Sequence, residues 1–180
     1  MDEAWSYMLN VWLGLSENSK DDLNTAYQLT LKVLDSDQDF AYAVNLAAML
    51  ERDLGYFESS CSRLEAIEKV SRDASNLGMG VATASFCGDF DKAISFYESV
   101  FSMAPHFPGA NTKRAYAWSL VQKATLDSPT NFIAAKDFIK SQVAMEYESK
   151  RMHESFLVLL AYVEDKAGNK PSASKHIGQQ

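Results

Sequence analysis

The chain has 180 residues, enough to bury a substantial core as one compact domain or one short helical solenoid. It is 47% hydrophobic and 23% charged, which is too apolar for a disordered protein. A net charge of −7 argues against unspecific binding to nucleic acid or to an anionic membrane. No apolar run has the length of a membrane helix, and the first five residues lack the pattern of a signal peptide.

Apolar residues recur at spacings of three and four along most of the chain, which predicts an all-α protein. The four prolines fall where the predicted helices start or stop, and Gly55, Gly88 and Gly168 fit short turns within helix pairs. In chain order the predicted helices span 2–15, 20–35, 38–54, 57–71, 74–87, 90–103, 109–123, 130–144, 148–166 and 171–177. Short loops between them predict antiparallel pairs in a single domain over 1–180.

A repeat appears when the chain is aligned on Gly55 and Gly88, which are 33 residues apart. The aligned apolar positions, each expected to face a neighbouring helix, are Phe57 with Phe90, Leu64 with Tyr97, Ile67 with Val100, Val44 with Leu77 and Leu46 with Met79. With a small residue at Ala93, an aromatic at Tyr97 and a proline at Pro105, the chain resembles the tetratricopeptide repeat (TPR) family, most clearly over 38–108. The resemblance implies a right-handed solenoid of helix pairs that binds a protein or peptide and has no catalytic role.

Two further segments resemble the C-terminal TPR domains of bacterial winged-helix transcription regulators and adenylate cyclases. One is the aromatic first helix with the following helix that ends Leu34-Asp35-Ser36-Asp37, and the other is the stretch from Met103 to Pro108. In such proteins the repeat domain receives a signal or a partner, and the N-terminal part acts. The resemblance implies that this chain is the regulatory or sensory part of a longer protein, with an N-terminal output domain of the same chain among its partners.

The sequence offers no catalytic, cofactor or metal site. His106, His153 and His176 lack the spacing of a zinc pair, and we expect them to be exposed. No nucleophile motif or glycine-rich phosphate loop is present, because Gly78-Met79-Gly80 lies inside a helical pattern and follows no strand. We therefore expect neither enzyme activity nor a cofactor.

Candidate partner-binding residues follow from the repeat, since the first helix of each pair lines the concave groove in this family. They combine amide, guanidinium and aromatic groups, which hydrogen-bond a peptide backbone and hold an apolar anchor. They are Tyr42, Asn45, Met49 and Arg52 on the third predicted helix, Met79 and Phe86 on the fifth, and Asn111, Arg114 and Trp118 on the seventh. Trp5, Tyr7 and Trp12 form a candidate interface, either as an N-terminal cap or as the surface that meets an output domain.

Small residues at Ser75, Gly78, Ala82 and Ser85 share one face of a predicted helix. A glycine inside a helix costs about 1 kcal/mol relative to alanine, so a compensating reason is expected. One reason is the close approach of a neighbouring helix, which we favour. The other is an open groove floor that leaves room for a ligand or peptide.

Cys61 and Cys87 lie at similar heights on two predicted antiparallel helices. If their faces converge, they form a disulfide, which would indicate a periplasmic location. The alternative, which we favour from the sequence, is two buried thiols that act as small apolar groups.

Taken together, these patterns favour a cytoplasmic regulatory domain that binds a protein or peptide. Neither nucleic acid nor a membrane is an expected partner. One alternative is a stand-alone TPR chaperone that holds an unfolded segment of a secreted protein. Another is a self-associating scaffold that forms a homodimer, and the alternative location is the periplasmic part of a membrane-anchored regulator.

Overall fold

The computed structural model describes residues 1–127, 132–145, 150–169 and 173. Its helices are α1 (Asp2–Trp12), α2 (Ser19–Ser36), α3 (Ala41–Asp53), α4 (Phe57–Ser62), α5 (Leu64–Val70), α6 (Ala74–Phe86), α7 (Phe90–Met103), α8 (Ala110–Asp127), α9 (Phe132–Val143) and α10 (Lys150–Lys166). These described residues contain no strand, which confirms the all-α prediction. Apart from Ala173, the helix predicted over 171–177 lies outside them. Over the same ranges, no helix is both long enough and apolar enough to cross a membrane.

The helices stack as consecutive pairs. α1 packs on α2, α3 on α4 and α5, α6 on α7, and α8 on α9. The second helix of each pair also contacts the first helix of the next pair, and α3, α6, α8 and α10 contact one another in sequence. This arrangement is the predicted TPR-like solenoid, with the first helices on one side and the second helices on the other.

Tight turns join the two helices of a pair. In two of these turns a glycine is required, and these glycines mark the repeat period in the sequence. Gly55 and Gly88 follow α3 and α6 with φ of 86° and 77°, a conformation that favours glycine over all other residues. The carboxylate of Asp89 then accepts a hydrogen bond from the backbone N–H of Lys92 at 3.1 Å and caps α7. Asp73 caps α6 in the same way, accepting from the N–H of Asn76 at 2.9 Å.

The helix predicted over 57–71 is divided into α4 and α5, which meet at Arg63. The Arg63 guanidinium donates from Nε and Nη2 to the two carboxylate oxygens of Glu51, both at 2.7 Å. Glu51 is 1% exposed and also accepts a 2.8 Å hydrogen bond from the hydroxyl of Tyr27. The hydrogen bond to Glu51 raises the pKa of Arg63, which keeps the guanidinium charged. Glu51 therefore joins α2 and α3 to the junction of α4 and α5.

The apolar interior is a row of clusters between neighbouring helices. Met8, Leu46 and Leu50 belong to the cluster of α1, α2 and α3. The next cluster includes Val81 and Val100, and a third forms between α8, α9 and α10. Because each cluster joins only neighbours in the stack, stability is close to a sum of pair and interface contributions.

A disulfide joins Cys61 of α4 to Cys87 in the turn after α6, with 5.6 Å between the two Cα atoms. The favoured interpretation as two buried thiols is therefore wrong. Helical spacing gave the two cysteines similar heights, but it could not show that both side chains face the boundary between the second and third pairs. The bond links these two pairs covalently.

Candidate functional site

The first helices of the stack line one concave groove with a volume of about 1340 Å³. Residues of α1 and α10 contribute to the lining, and α3, α6 and α8 lie between these two helices in the stack. The described residues that line the groove therefore come from five separate helices and from the loop between α7 and α8. We refer to this surface as the concave groove.

Eight of the nine groove residues expected from the sequence line the concave groove. They are Tyr42, Met49 and Arg52 of α3, Met79 and Phe86 of α6, and Asn111, Arg114 and Trp118 of α8. The repeat alignment finds them because equivalent first helices present equivalent faces to the same side of the stack.

Asn45 is the exception, and the prediction that it lines the groove is wrong. Its side chain is fully buried, and its amide donates to the Ala41 carbonyl at 2.9 Å and to the Ser71 hydroxyl at 3.0 Å. Ser71 belongs to the loop between α5 and α6. Helical spacing places Asn45 on the same face as Tyr42 and Met49, but it does not reveal that this loop covers the position.

The three aromatic residues of the candidate N-terminal interface lie in different environments. Trp5 and Trp12 line the concave groove, with their ring centroids 6.0 Å apart in an edge-on arrangement. Tyr7 is half-buried against the core of the first pair and does not line the groove. Trp5 also packs on Tyr42 of α3, with 6.0 Å between ring centroids. Two of the three residues therefore extend the groove onto α1.

The stripe of small residues on α6 lines the middle of the concave groove and also faces α8. Ser75, Gly78, Ala82 and Ser85 all contribute to the lining. The Ser85 hydroxyl donates to the Ala115 carbonyl of α8 at 3.1 Å, and Thr112 Oγ1 lies 3.6 Å from where a Cβ at Gly78 would be. Close approach of a helix and an open floor, considered as alternatives from the sequence, therefore occur together.

Large apolar side chains remain exposed in the groove. Trp12, Phe86, Phe107, Trp118 and Val158 line it, and each is between 42% and 53% exposed. Exposed apolar surface that is concentrated in a concavity is typical of an interaction site. Phe107 and Val158 are not among the groove residues expected from the sequence. Phe107 stands in the loop between Pro105 and Pro108, so helical periodicity gave no signal for it.

A polar cluster fixes the boundary between α1 and α3 on this surface. Arg52 donates to the Asp53 carboxylate at 2.7 Å, and Trp12 Nε1 donates to the same carboxylate at 2.8 Å. The Arg52 guanidinium also lies 5.8 Å from the centroid of the Phe86 ring, a cation–π distance. Two of the aromatic lining residues are thus held in position by one Arg–Asp pair.

The described residues that line the groove are apolar, neutral polar and basic, and they include no His, Cys, Asp or Glu. Among the described residues, no three His, Cys, Asp or Glu side chains are close enough to hold a metal ion. His106 is exposed and His153 is half-buried, whereas His176 lies outside the described residues. The groove's described lining residues offer apolar contacts, amide and hydroxyl groups that can form hydrogen bonds, and the positive charge of two arginines.

Two solved structures share this architecture. MamA residues 41 to the end from Desulfovibrio magneticus RS-1 superimpose with a TM-score of 0.67 at 12% identity. A MamA RS-1 ArsTM double mutant gives a TM-score of 0.66 at 11% identity. Each comparison covers 99% of this chain and 93% of the other. At this level of identity the likeness shows a TPR-like fold and nothing finer.

No protein-family model and no curated protein matches the sequence. The structural neighbours therefore support the fold predicted from the repeat. They do not support the narrower resemblance to transcription regulators and adenylate cyclases, nor a chaperone role.

Proposed function

We propose that this chain is a non-catalytic protein-interaction domain whose concave groove holds a segment of a partner protein. The observation that carries the proposal is the exposed apolar lining of the groove, shared between five helices. Left in water, such a surface is unfavourable, whereas covering it with a partner removes apolar area from solvent. The TPR-like fold agrees with this function, because such stacks present extended concave binding surfaces.

Trp118 is the residue whose loss should weaken partner binding most clearly. It is large, aromatic, 42% exposed and lies on α8, between α6 and α10 in the groove wall. We expect Trp118→Ala to cost about 2 kcal/mol of binding free energy, or about thirtyfold in Kd, as for an aromatic hot spot. Phe101→Ala is the matched control, because Phe101 is aromatic and 51% exposed but belongs to α7, outside the groove.

The experiment captures proteins from a lysate of the source organism with the wild type and both variants. Titration calorimetry then measures the Kd of the captured protein for each of the three. A protein held by the wild type and by Phe101→Ala, and lost by Trp118→Ala, is the expected result. If all three hold it equally, its contact lies outside the groove and the proposal is wrong. Circular dichroism of each variant shows whether the fold is retained.

The narrower proposals on role and location have separate support. A regulatory role rests on the sequence resemblance of the first two helices and of the segment from Met103 to Pro108. The Cys61–Cys87 disulfide favours an oxidising compartment, and so the periplasmic alternative over the cytoplasmic one. Mass measurement of alkylated protein from its native compartment distinguishes the two locations, since only a reduced pair is labelled.

A further inference from the structure

The charges in the concave groove are opposite in sign to the charge of the whole chain. The chain carries 24 Asp and Glu residues against 17 Lys and Arg, for a net charge of −7. Among the described residues that line the groove, the only charged side chains are Arg52 and Arg114, and no carboxylate lines it. This difference singles out the groove from the acidic remainder of the protein.

Arg52 already has partners within the protein. Its guanidinium is bound to Asp53 at 2.7 Å and lies over the ring of Phe86. Since its charge is balanced by a neighbouring carboxylate, Arg52 is not the group that sets the charge of an occupant.

Arg114 differs from Arg52 because no described residue pairs with it. It is exposed on α8 and makes no ion pair or hydrogen bond with the part of the chain that the structure describes. It stands three residues after Asn111 and four before Trp118, so the three side chains form one row along the groove wall. A guanidinium in this position offers donors in a fork that fits a carboxylate.

An apolar subsite lies beside Arg114. The hydrogen bond from Ser85 to the Ala115 carbonyl holds the C-terminal end of α6 against the N-terminal half of α8. Phe86 directly follows Ser85, and Arg114 directly precedes Ala115, so both residues flank this contact between α6 and α8, and both line the groove together with Trp118. Aromatic surface next to an unpaired Arg is the composition of an interface hot spot.

We infer that the occupant of the groove is an acidic segment with an apolar anchor. Its apolar side chain contacts Phe86 and Trp118, and a nearby Asp or Glu carboxylate binds the guanidinium of Arg114. The inference rests on the proposed function, because it specifies the chemistry of the partner segment. The net charge of the chain opposes an acidic partner at long range, so the preference depends on Arg114 itself.

The test is a selection of random short peptides displayed on phage against the wild type and three variants. Arg114→Gln removes the charge, Arg114→Glu reverses it, and Arg72→Gln is the matched control. Arg72 is exposed in the loop before α6 and does not line the groove. The expected result is that the wild type and Arg72→Gln select acidic peptides with an aromatic or large aliphatic residue. Synthetic copies of these peptides should bind Arg114→Gln about tenfold more weakly.

The outcomes separate this inference from the proposed function. If the selected peptides are neutral or basic but lose affinity for Trp118→Ala, the groove binds peptides and the acidic preference is wrong. If no peptide is enriched above background, both proposals are wrong. Arg114→Glu gives an independent result, since it should shift the selection toward Lys and Arg, and an unshifted selection contradicts the role of Arg114.

Discussion

Gly80 and Gly78 lie two residues apart on α6, yet they have different surroundings. A Cβ at Gly80 would be 2.8 Å from Ile67 Cγ2 and 3.1 Å from the Phe96 ring, both buried. We expect Gly80→Ala to lower the free energy of unfolding by about 1 to 3 kcal/mol, because the core must shift to admit the methyl group. Urea denaturation followed by circular dichroism measures the change.

Gly78→Ala is the matched control for that substitution. The nearest atoms to a Cβ at Gly78 are 3.6 to 3.9 Å away, which is ordinary contact. Because the methyl group fits and alanine favours the helix, stability should rise by up to about 1 kcal/mol. Equal destabilisation of the two variants would contradict the distinction between the packed and the open face of α6.

The contacts and burial of some single residues could not be predicted from the sequence. Glu51 lies on the third predicted helix, and nothing in its local sequence shows that Arg63 and Tyr27 bind its carboxylate. Phe57 aligns with Phe90 and was expected to face a neighbouring helix, but it is 55% exposed and its ring lies 5.6 Å from that of Phe86. Burial at these positions depends on contacts between distant segments, which periodicity does not encode.

The helices are better predicted than the surroundings of single residues. A helix has a periodic apolar pattern, and capping residues and turn glycines mark its ends. The helix predicted over 90–103 matches α7 at both ends, with Asp89 as its cap and Gly88 in the turn before it. The helix predicted over 38–54 begins later in the structure, at Ala41. The break at Arg63 has no proline or glycine to mark it, so a single helix was expected there.

The contact between α9 and α10 includes a buried carboxylate that makes stability depend on pH. Glu164 of α10 is 3% exposed and accepts from Lys136 of α9 and from Asn169, both at 3.0 Å. Burial raises the pKa of Glu164, whereas the hydrogen bonds from Lys136 and Asn169 and the positive charge of Lys136 lower it. The lowering effects are larger together, so the pKa lies below the ordinary 4.5. The stabilising contribution is therefore complete above about pH 4.5 and is lost as the pH falls through the lowered pKa.

Glu164→Gln tests this contribution. We expect it to lower the free energy of unfolding by about 1.5 to 3 kcal/mol at pH 7, the range for a hydrogen bond to a charged group. The difference from the wild type should shrink as urea denaturation is repeated at lower pH. Glu154→Gln on the same helix is the control, because its partner Lys150 is 85% exposed and the exposed pair contributes little. A difference that stays constant with pH would contradict the assignment.

At the scale of the whole molecule, the repeat period predicts the concave groove but not its limits. Equivalent faces on α3, α6 and α8 follow from the alignment of Gly55 with Gly88. The contributions of Val158 from α10 and of Phe107 from a loop depend on how the stack curves. That curvature is the sum of small rotations between pairs, and no local sequence pattern specifies it.

The disulfide is the covalent link between two pairs, and its loss should be measurable across the molecule. Cys61 and Cys87 are separated by 26 residues, and closing a loop of this size contributes about 3 to 4 kcal/mol in the chain-entropy account. We expect Cys61→Ser/Cys87→Ser to lose about that much stability in thermal and urea denaturation. Reductant should destabilise the wild type to the same extent and leave the double variant unchanged. Two free thiols in the unreduced wild type would contradict the assigned bond.

The position of this disulfide also determines how the groove can change its width. The second and third pairs, which supply Arg52 and Phe86 to the lining, are joined covalently and cannot slide past each other freely. The first pair and the helices from α8 onward have no such link among the described residues. A groove that adapts to occupants of different thickness would therefore move at its two ends about a fixed centre. The two linked pairs would act as the rigid centre, and the helices on either side of them would move.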